Sequence, residues 1–212
     1  MLIAYNQEQF IREAVEGAFA QTYSPLEIIL SDDCSTDRTF EIMKEMSAQY
    51  KGPHRIILNR NERNLGICSH VNRCVELTHG ELIVCAAGDD ISIPGRTSYL
   101  AGKWLDFRKA GLALMTNASV INDKGEHIQL MRTDMMNPFV YDIDSMLRGD
   151  QFLTFGCTMA YTRDLFTTFG PLSKMGIKED IRLGFRSILI GELRYFPDVL
   201  VFKEGIIITL IS

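Results

Sequence analysis

The feature that most constrains this chain is a regular alternation, through its first half, of short apolar runs with amphipathic helical stretches. Leu2-Ile3-Ala4 reads as the end of a strand, and Asn6 stands where a helix N-cap would, with Gln9 three residues on. Phe10, Ala14 and Ala18 then share a face beside Ile11, Val15 and Phe19, which predicts a helix over 7–21 that Pro25 stops. Leu26 to Leu30 is a β-branched apolar run suited to a strand covered on both faces. A helix follows Asp37, with Phe40, Met43 and Met46 or Ala48 inward. Arg55–Leu58 is the next strand, and a helix carrying Val71, Cys74, Val75 and Thr78 ends at Gly80. Glu81–Ala87 is a further strand, and Pro94 opens a helix near 95–109. Such an order needs right-handed crossovers and predicts an α/β chain built on a mostly parallel central sheet flanked by helices.

The second half is less regular. Strands are expected at 112–121, 127–131, 156–161 and 193–202, with a hairpin turn at 122–125 and helices near 142–148, 163–169 and 179–190. No repeat or low-complexity linker separates the halves, so residues 1–212 read as one domain. Leu2-Ile3-Ala4 and the apolar run 206–211 make both ends look cut short, and that run is expected to be an edge strand or a stranded helix continuation.

Lys and Arg number 22 against 27 Asp and Glu, a net charge of −5. Nucleic-acid binders usually need a basic stripe to displace counterions, so nucleic acid is not an expected partner. No apolar stretch approaches the ~20 residues that span a bilayer, and the N-terminus has no signal-peptide pattern. Five cysteines without a CxxC pair fit a reducing, cytoplasmic setting. Cys68, His70, Cys74 and His79 match no zinc spacing and are expected to be structural.

In open parallel sheets, ligands sit at the carboxyl ends of the strands. Ala4-Tyr5-Asn6, Asp32-Asp33 and Asp89-Asp90 all fall there. No GxGxxG follows the first strand and no GxxxxGK[ST] occurs, which disfavours a nicotinamide dehydrogenase or a P-loop NTPase. Paired carboxylates beside an anionic ligand call for a hard divalent cation, Mg²⁺ or Mn²⁺, between them. Asp32-Asp33 precedes a helix and can equally serve as its cap. Asp89-Asp90 is separated from the next helix by Ile91-Ser92-Ile93-Pro94, which leaves capping a poor explanation. Glu179-Asp180 can be read as favourable acids at a helix start.

Several motifs in order resemble family 2 glycosyltransferases: Tyr5-Asn6, Gln21-Thr22-Tyr23, Glu27-Ile28-Ile29, Asp32-Asp33-Cys34-Ser35-Thr36-Asp37 with Thr39, Asn64-Leu65-Gly66, Asn72, Thr78 to Ile83, and Gly88-Asp89-Asp90 with Pro94 and Arg96. Lys178-Glu179-Asp180-Ile181-Arg182-Leu183 resembles the family's acceptor-side Glu-Asp motif. The resemblance covers about residues 1–200. It departs at Ala86-Ala87-Gly88, where many members place an extra Asp, and after the last strand, where no His occurs and Lys203 is the nearest cation.

That resemblance implies a GT-A, Rossmann-like fold with a nucleotide-sugar-binding half (1–110) and a smaller acceptor-side β/α half (111–212). It implies inverting transfer from a nucleotide-sugar donor, UDP-sugar favoured, to a saccharide or lipid-linked acceptor in polysaccharide or glycoconjugate assembly, using Mn²⁺ or Mg²⁺. A lipid-linked acceptor would bring the protein to the inner face of the membrane as a peripheral contact. By the same resemblance Ala4 and Tyr5 line the nucleotide site, Tyr5 stacking on the base. Asp33 accepts a hydrogen bond from that base, Asp89 holds the ribose or sugar, Asp90 ligates the metal, and Asp180 beside Glu179 is the general base. Two other classes share parts of this pattern: a non-catalytic donor-binding or scaffold module, and a sugar-phosphate nucleotidyltransferase, which usually carries a glycine-rich basic loop absent here.

Overall fold

A computed structural model describes the chain except for residues 108–110, 123, 151–152, 175–177 and 205–212. In chain order its elements are β1 (Leu2–Ala4), α1 (Ile11–Phe19), β2 (Glu27–Asp32), α2 (Thr39–Gln49), β3 (Arg55–Arg60), α3 (Ile67–Leu77), β4 (Leu82–Val84), β5 (Ala86–Ala87), β6 (Asp90–Ser92) and α4 (Arg96–Phe107). They continue with β7 (Leu112–Ile121), β8 (His127–Leu130), β9 (Phe139–Tyr141), α5 (Ile143–Arg148), a 3-10 turn (Gly156–Thr158), β10 (Met159–Thr162), α6 (Asp164–Phe169), α7 (Glu179–Ile190) and β11 (Glu192–Glu204).

The first sheet is fully parallel in the order β3-β2-β1-β5, as the crossover rule requires. Its helix-covered face buries Leu2, Ile11, Val15, Leu30, Ile42 and Met43 together. Each such aliphatic side chain contributes about 1.5–3 kcal/mol when removed from water. The second sheet is mixed, in the order β4-β10-β7-β11-β6, with β8 on β7 and β9 on β11. Its parallel centre is the β7–β11 pair, and all ten residues of β7 are buried. Met115, Tyr161, Leu183 and Tyr195 fill the space between this sheet and α7.

Residues 81–87 do not form the single strand that their apolar run predicts. The chain switches sheets at Cys85, so β4 pairs antiparallel with β10 while β5 pairs parallel with β1. It switches back at β6, which pairs antiparallel with β11. Apolar residues suit both positions, so hydrophobicity alone could not mark the break.

Helix α1 begins at Ile11, not at residue 7, and Asn6 does not cap it. Asn6 adopts a left-handed backbone (φ 53°), and its side-chain carbonyl accepts the Thr36 N–H at 2.9 Å. The residue therefore joins the loops after β1 and β2, an arrangement the left-handed tolerance of Asn permits. Helix α2 buries Ile42 with Met43 and Met46, while Phe40 lies half-buried beneath the Arg60 guanidinium.

Two residues fix how β6 sits. A Cβ at Gly17 would lie 2.9 Å from the Ser92 carbonyl oxygen, so α1 meets β6 backbone to backbone. Buried Gln21 donates to the carbonyls of Gly17 and Ile93, each at 2.8 Å, and accepts from the Thr97 N–H and hydroxyl, each at 2.9 Å. It thus satisfies groups at the end of α1 and the start of α4 at once.

Candidate active site

The carboxyl ends of β1 and β2 form the first wall of the site. Ala4 is buried, its carbonyl accepts the Asp33 N–H at 2.9 Å, and Tyr5 beside it is 46% exposed. Asp32 turns inward to bond the Ser35 N–H and hydroxyl, with Arg60 3.5 Å away, and so stabilises the turn without capping α2. Asp33 accepts from Asn61 Nδ2 at 2.7 Å and from the N–H groups of Leu65 and Gly66 at 2.9 Å. It thereby pins the Asn64-Leu65-Gly66 loop ahead of α3. A carboxylate has about four acceptor positions, so one remains on Asp33.

The second wall is the short stretch from β5 to β6. Asp90 is only 2% exposed, at the start of β6 opposite Lys203 of β11. Lys203 Nζ donates to Asp90 Oδ1 at 3.0 Å and to Asp89 Oδ2 at 3.3 Å. Asp90 Oδ2 is buried and makes no hydrogen bond in ordinary geometry, while the Cys157 thiol approaches the same carboxylate. Burial raises the Asp90 pKa despite the opposing pull of Lys203. Burial also works to lower the Lys203 pKa, but Asp90 and Asp89 outweigh it and raise the net value.

Two hard carboxylates with an unpartnered buried oxygen fit Mg²⁺ or Mn²⁺. Among the described residues no group of three or more His, Cys, Asp and Glu stands together as a ready-made metal cage. A cation here would need a ligand's oxygens or water to complete its shell.

The third wall comes from α7. Glu179 is half-buried and Asp180 is 6% exposed, with Asp180 Oδ1 accepting the Ile181 N–H at 2.8 Å. A Cβ at Gly156 would lie 2.9 Å from Glu179 Oε1 and 3.7 Å from Asp180 Cβ. Gly156 therefore lets α7 press against the 3-10 turn whose next residue, Cys157, faces Asp90. Two acidic pairs about ninety residues apart in sequence are brought to either side of one turn. Burial, with Asp180 adding to it, raises the Glu179 pKa. Glu179 also lines a cavity of about 100 Å³ with Ile3, Ala87, Cys157 and Tyr161. A larger cavity of about 330 Å³ lies at the opposite ends of the strands, among Leu26, Glu27, Leu82 and Trp104, away from these carboxylates.

Two supporting residues have roles that no sequence pattern revealed. Arg96 is buried, and its guanidinium donates to the Cys85 and Cys157 carbonyls at 2.6 and 2.5 Å and to Ser92 Oγ at 2.8 Å. It ties the sheet switch, the 3-10 turn and β6 into one unit. Asn72 exchanges two 2.8 Å hydrogen bonds with the Leu172 backbone, holding the approach to α7 against α3. Both belong to the motifs quoted above, but only contacts across many residues reveal what they do.

His70 Nε2 meets Ser31 Oγ at 2.7 Å and His79 bonds Glu27, so each is engaged structurally. Burial lowers the His70 pKa, with Asp33 and Asp32 opposing. No described helix is long and apolar enough to cross a membrane. The apolar run 206–211 lies outside the described residues.

Residues 1–169 match the family described as Glycosyl transferase family 2. Putative glycosyltransferase EpsE of Bacillus subtilis (strain 168) is 38% identical over 92 residues, covering 43% of this chain and 32% of that protein. Probable glycosyltransferase YdaM of the same organism is 25% identical over 214 residues, covering 96% and 50%. In fold, the chain resembles S. aureus TarS 1-349 in complex with UDP, with TM-score 0.73, 17% identity and coverage of 97% of this chain and 59% of that one. It also resembles the mannosyltransferase PcManGT from Pyrobaculum calidifontis in complex with GDP-Man and Mn²⁺, with TM-score 0.69, 18% identity and coverage of 99% and 57%. The chain spans half or less of those two curated relatives and under two thirds of those structures.

Proposed function

The chain belongs to glycosyl transferase family 2, and on that premise we propose that it is a metal-assisted inverting transferase, moving a sugar from a nucleotide donor to a hydroxyl acceptor. The observation that carries this reading is the convergence of Asp89-Asp90 and Glu179-Asp180 on the turn at Gly156-Cys157. Single displacement needs a base on one side of the anomeric carbon and a stabilised leaving group on the other. An acidic pair from each half supplies those two sides. The same division makes 1–110 the donor half and 111–212 the acceptor half of one domain.

Tyr5 is exposed where a nucleotide base could stack, and the remaining acceptor position of Asp33 suits a ring N–H of that base. Uracil carries such a donor, as do guanine and thymine but not cytosine, and a UDP-sugar is the reading we favour, UDP being the nucleotide that TarS holds. Asp90 would hold Mn²⁺ or Mg²⁺, and Asp89 the ribose or the sugar. When bound, the cation offsets charge developing on the departing diphosphate. Asp180 takes the acceptor proton as general base, and Glu179 stands beside it with a raised pKa. A positioned base contributes about 10²–10⁴-fold to rate. Saccharide and lipid-linked alcohols both supply the hydroxyl, consistent with polysaccharide or glycoconjugate assembly at a membrane face.

The test is a thermal-shift panel of UDP, GDP, dTDP and CDP with and without Mn²⁺, followed by transfer assays on Asp180→Asn. One nucleotide should stabilise the protein in a Mn²⁺-dependent way, and Asp180→Asn should retain that binding while losing about 10²–10⁴-fold in transfer. A Mn²⁺-independent shift would overturn the metal role, and an unchanged rate in Asp180→Asn would overturn the base.

A further inference from the structure

Resting on that donor-site reading, we infer that Lys203 is a tethered cation occupying the Asp89-Asp90 carboxylates, so that a divalent ion enters only together with the nucleotide diphosphate. Lys203 Nζ bridges the two carboxylates at 3.3 and 3.0 Å, which places one positive charge where a metal would stand. The side chain of Asp90 is 2% exposed, and its second oxygen, Oδ2, makes no hydrogen bond in ordinary geometry, with only the weak donor of the Cys157 thiol near the carboxylate. One ammonium therefore leaves the donor set incomplete, as a ligand site held partly filled would be. The Lys203 side chain is one third exposed, so its head can leave without opening the core.

A metal approaching the free protein meets a carboxylate pair already countered by an internal ammonium. Binding it alone would put two cations beside each other. A diphosphate resolves that conflict, because it offers oxygens to both the ammonium and the metal. Lys203 then moves from the carboxylates to the phosphates while the metal takes its former place. Metal and nucleotide are thereby coupled: each should raise the other's affinity by the same factor. The backbone of β11 anchors the lysine, since Lys203 pairs with Asp90 in register.

The experiment is Mn²⁺ binding followed by electron paramagnetic resonance, with no nucleotide and with saturating UDP or GDP. It is run on the wild type, Lys203→Met, Lys203→Arg and the double variant Lys203→Met/Asp90→Asn. The wild type should bind Mn²⁺ at least about tenfold more tightly with nucleotide than without. Lys203→Met should bind Mn²⁺ alone at least about tenfold more tightly than wild type, Lys203→Arg should behave as wild type, and the double variant should lose the gain.

Equal Mn²⁺ affinity in wild type and Lys203→Met, with nucleotide binding still Mn²⁺-dependent, overturns the tethered-cation role and leaves the donor-site reading standing. A gain in Lys203→Arg equal to that in Lys203→Met traces the effect to packing and overturns it too. If Lys203→Met fails to fold, a wild type that binds Mn²⁺ equally well without nucleotide is enough to overturn it. Folded wild type that takes neither Mn²⁺ nor any nucleotide removes the donor-site reading and this inference together.

Discussion

The two aspartate pairs look alike in sequence and are used in opposite ways. Asp32 and Asp33 are largely satisfied by their own chain, from the Ser35 turn on one side to Asn61, Leu65 and Gly66 on the other, with one acceptor position left on Asp33. Asp89 and Asp90 share one lysine and retain a buried oxygen without a partner. The first pair builds the rim of the site and keeps one acceptor position, on Asp33, whereas the second keeps a buried carboxylate oxygen at Asp90. The number of unfilled acceptor positions, more than the presence of acids, separates the two pairs.

The sharpest way to break this contrast is Asp33→Ala. It removes the acceptor of the buried Asn61 side chain and of the half-buried Leu65 N–H, while the exposed Gly66 N–H keeps Asn64 as a partner. Each buried donor left without a partner costs about 1–3 kcal/mol. Chemical denaturation should show a loss of about 2 kcal/mol or more, and an unchanged midpoint would refute the structural assignment. Asp90→Asn should change unfolding stability by about 1 kcal/mol or less. It should nevertheless abolish the metal-dependent stabilisation by nucleotide, which the proposed donor site would give the wild type to the extent of about 2.7 kcal/mol at a hundredfold excess over Kd.

Gly156→Ala tests whether the second pair truly faces α7. Its Cβ would press on Glu179 and Asp180, so about 1–3 kcal/mol of destabilisation is expected, with transfer reduced more than donor binding. The smallest effect concerns pH. His70 lies behind Asp32-Asp33 with a folded pKa below its ordinary 6.5. As pH falls below about 6.5 the unfolded chain takes up a proton that the folded one resists, so stability should decline on acidification. His70→Gln should flatten that part of the stability–pH profile, and an unchanged slope would exclude His70 as its source.

Most of the first half was legible because burial imposes periodicity. The apolar run at Ile28–Leu30 is a strand covered by other elements, and the spacing of Val71 and Cys74 matches the buried face of α3. Legibility fails where one polar residue serves distant backbone. Gln21 and Asn72 carry no periodic signal, and their distant partners lie 72–76 and 100 residues away. The strand break at Cys85 is hidden for a related reason, since Leu82–Val84 and Ala86–Ala87 are equally apolar yet pair in different sheets. Asp89-Asp90 was visible as a pair at a strand end, whereas the proximity of Lys203 depends on the β6–β11 register.

That register also dictates an order of assembly. Residues 82–92 supply both edge strands of the second sheet, β4 and β6, and between them an edge strand of the first. Strand β6 has no sheet partner until β11, over a hundred residues later, has been made and has aligned beside β7. Contacts of such sequence separation close late, because loop closure must precede the gain from pairing. The parallel β1–β2–β3 unit can therefore acquire amide protection early in refolding, while Ile91 and Ser92 wait for the last strand. Pulsed hydrogen exchange should show this lag. The carboxylate pocket therefore matures late, and a nascent chain cannot complete it before β11 has been made.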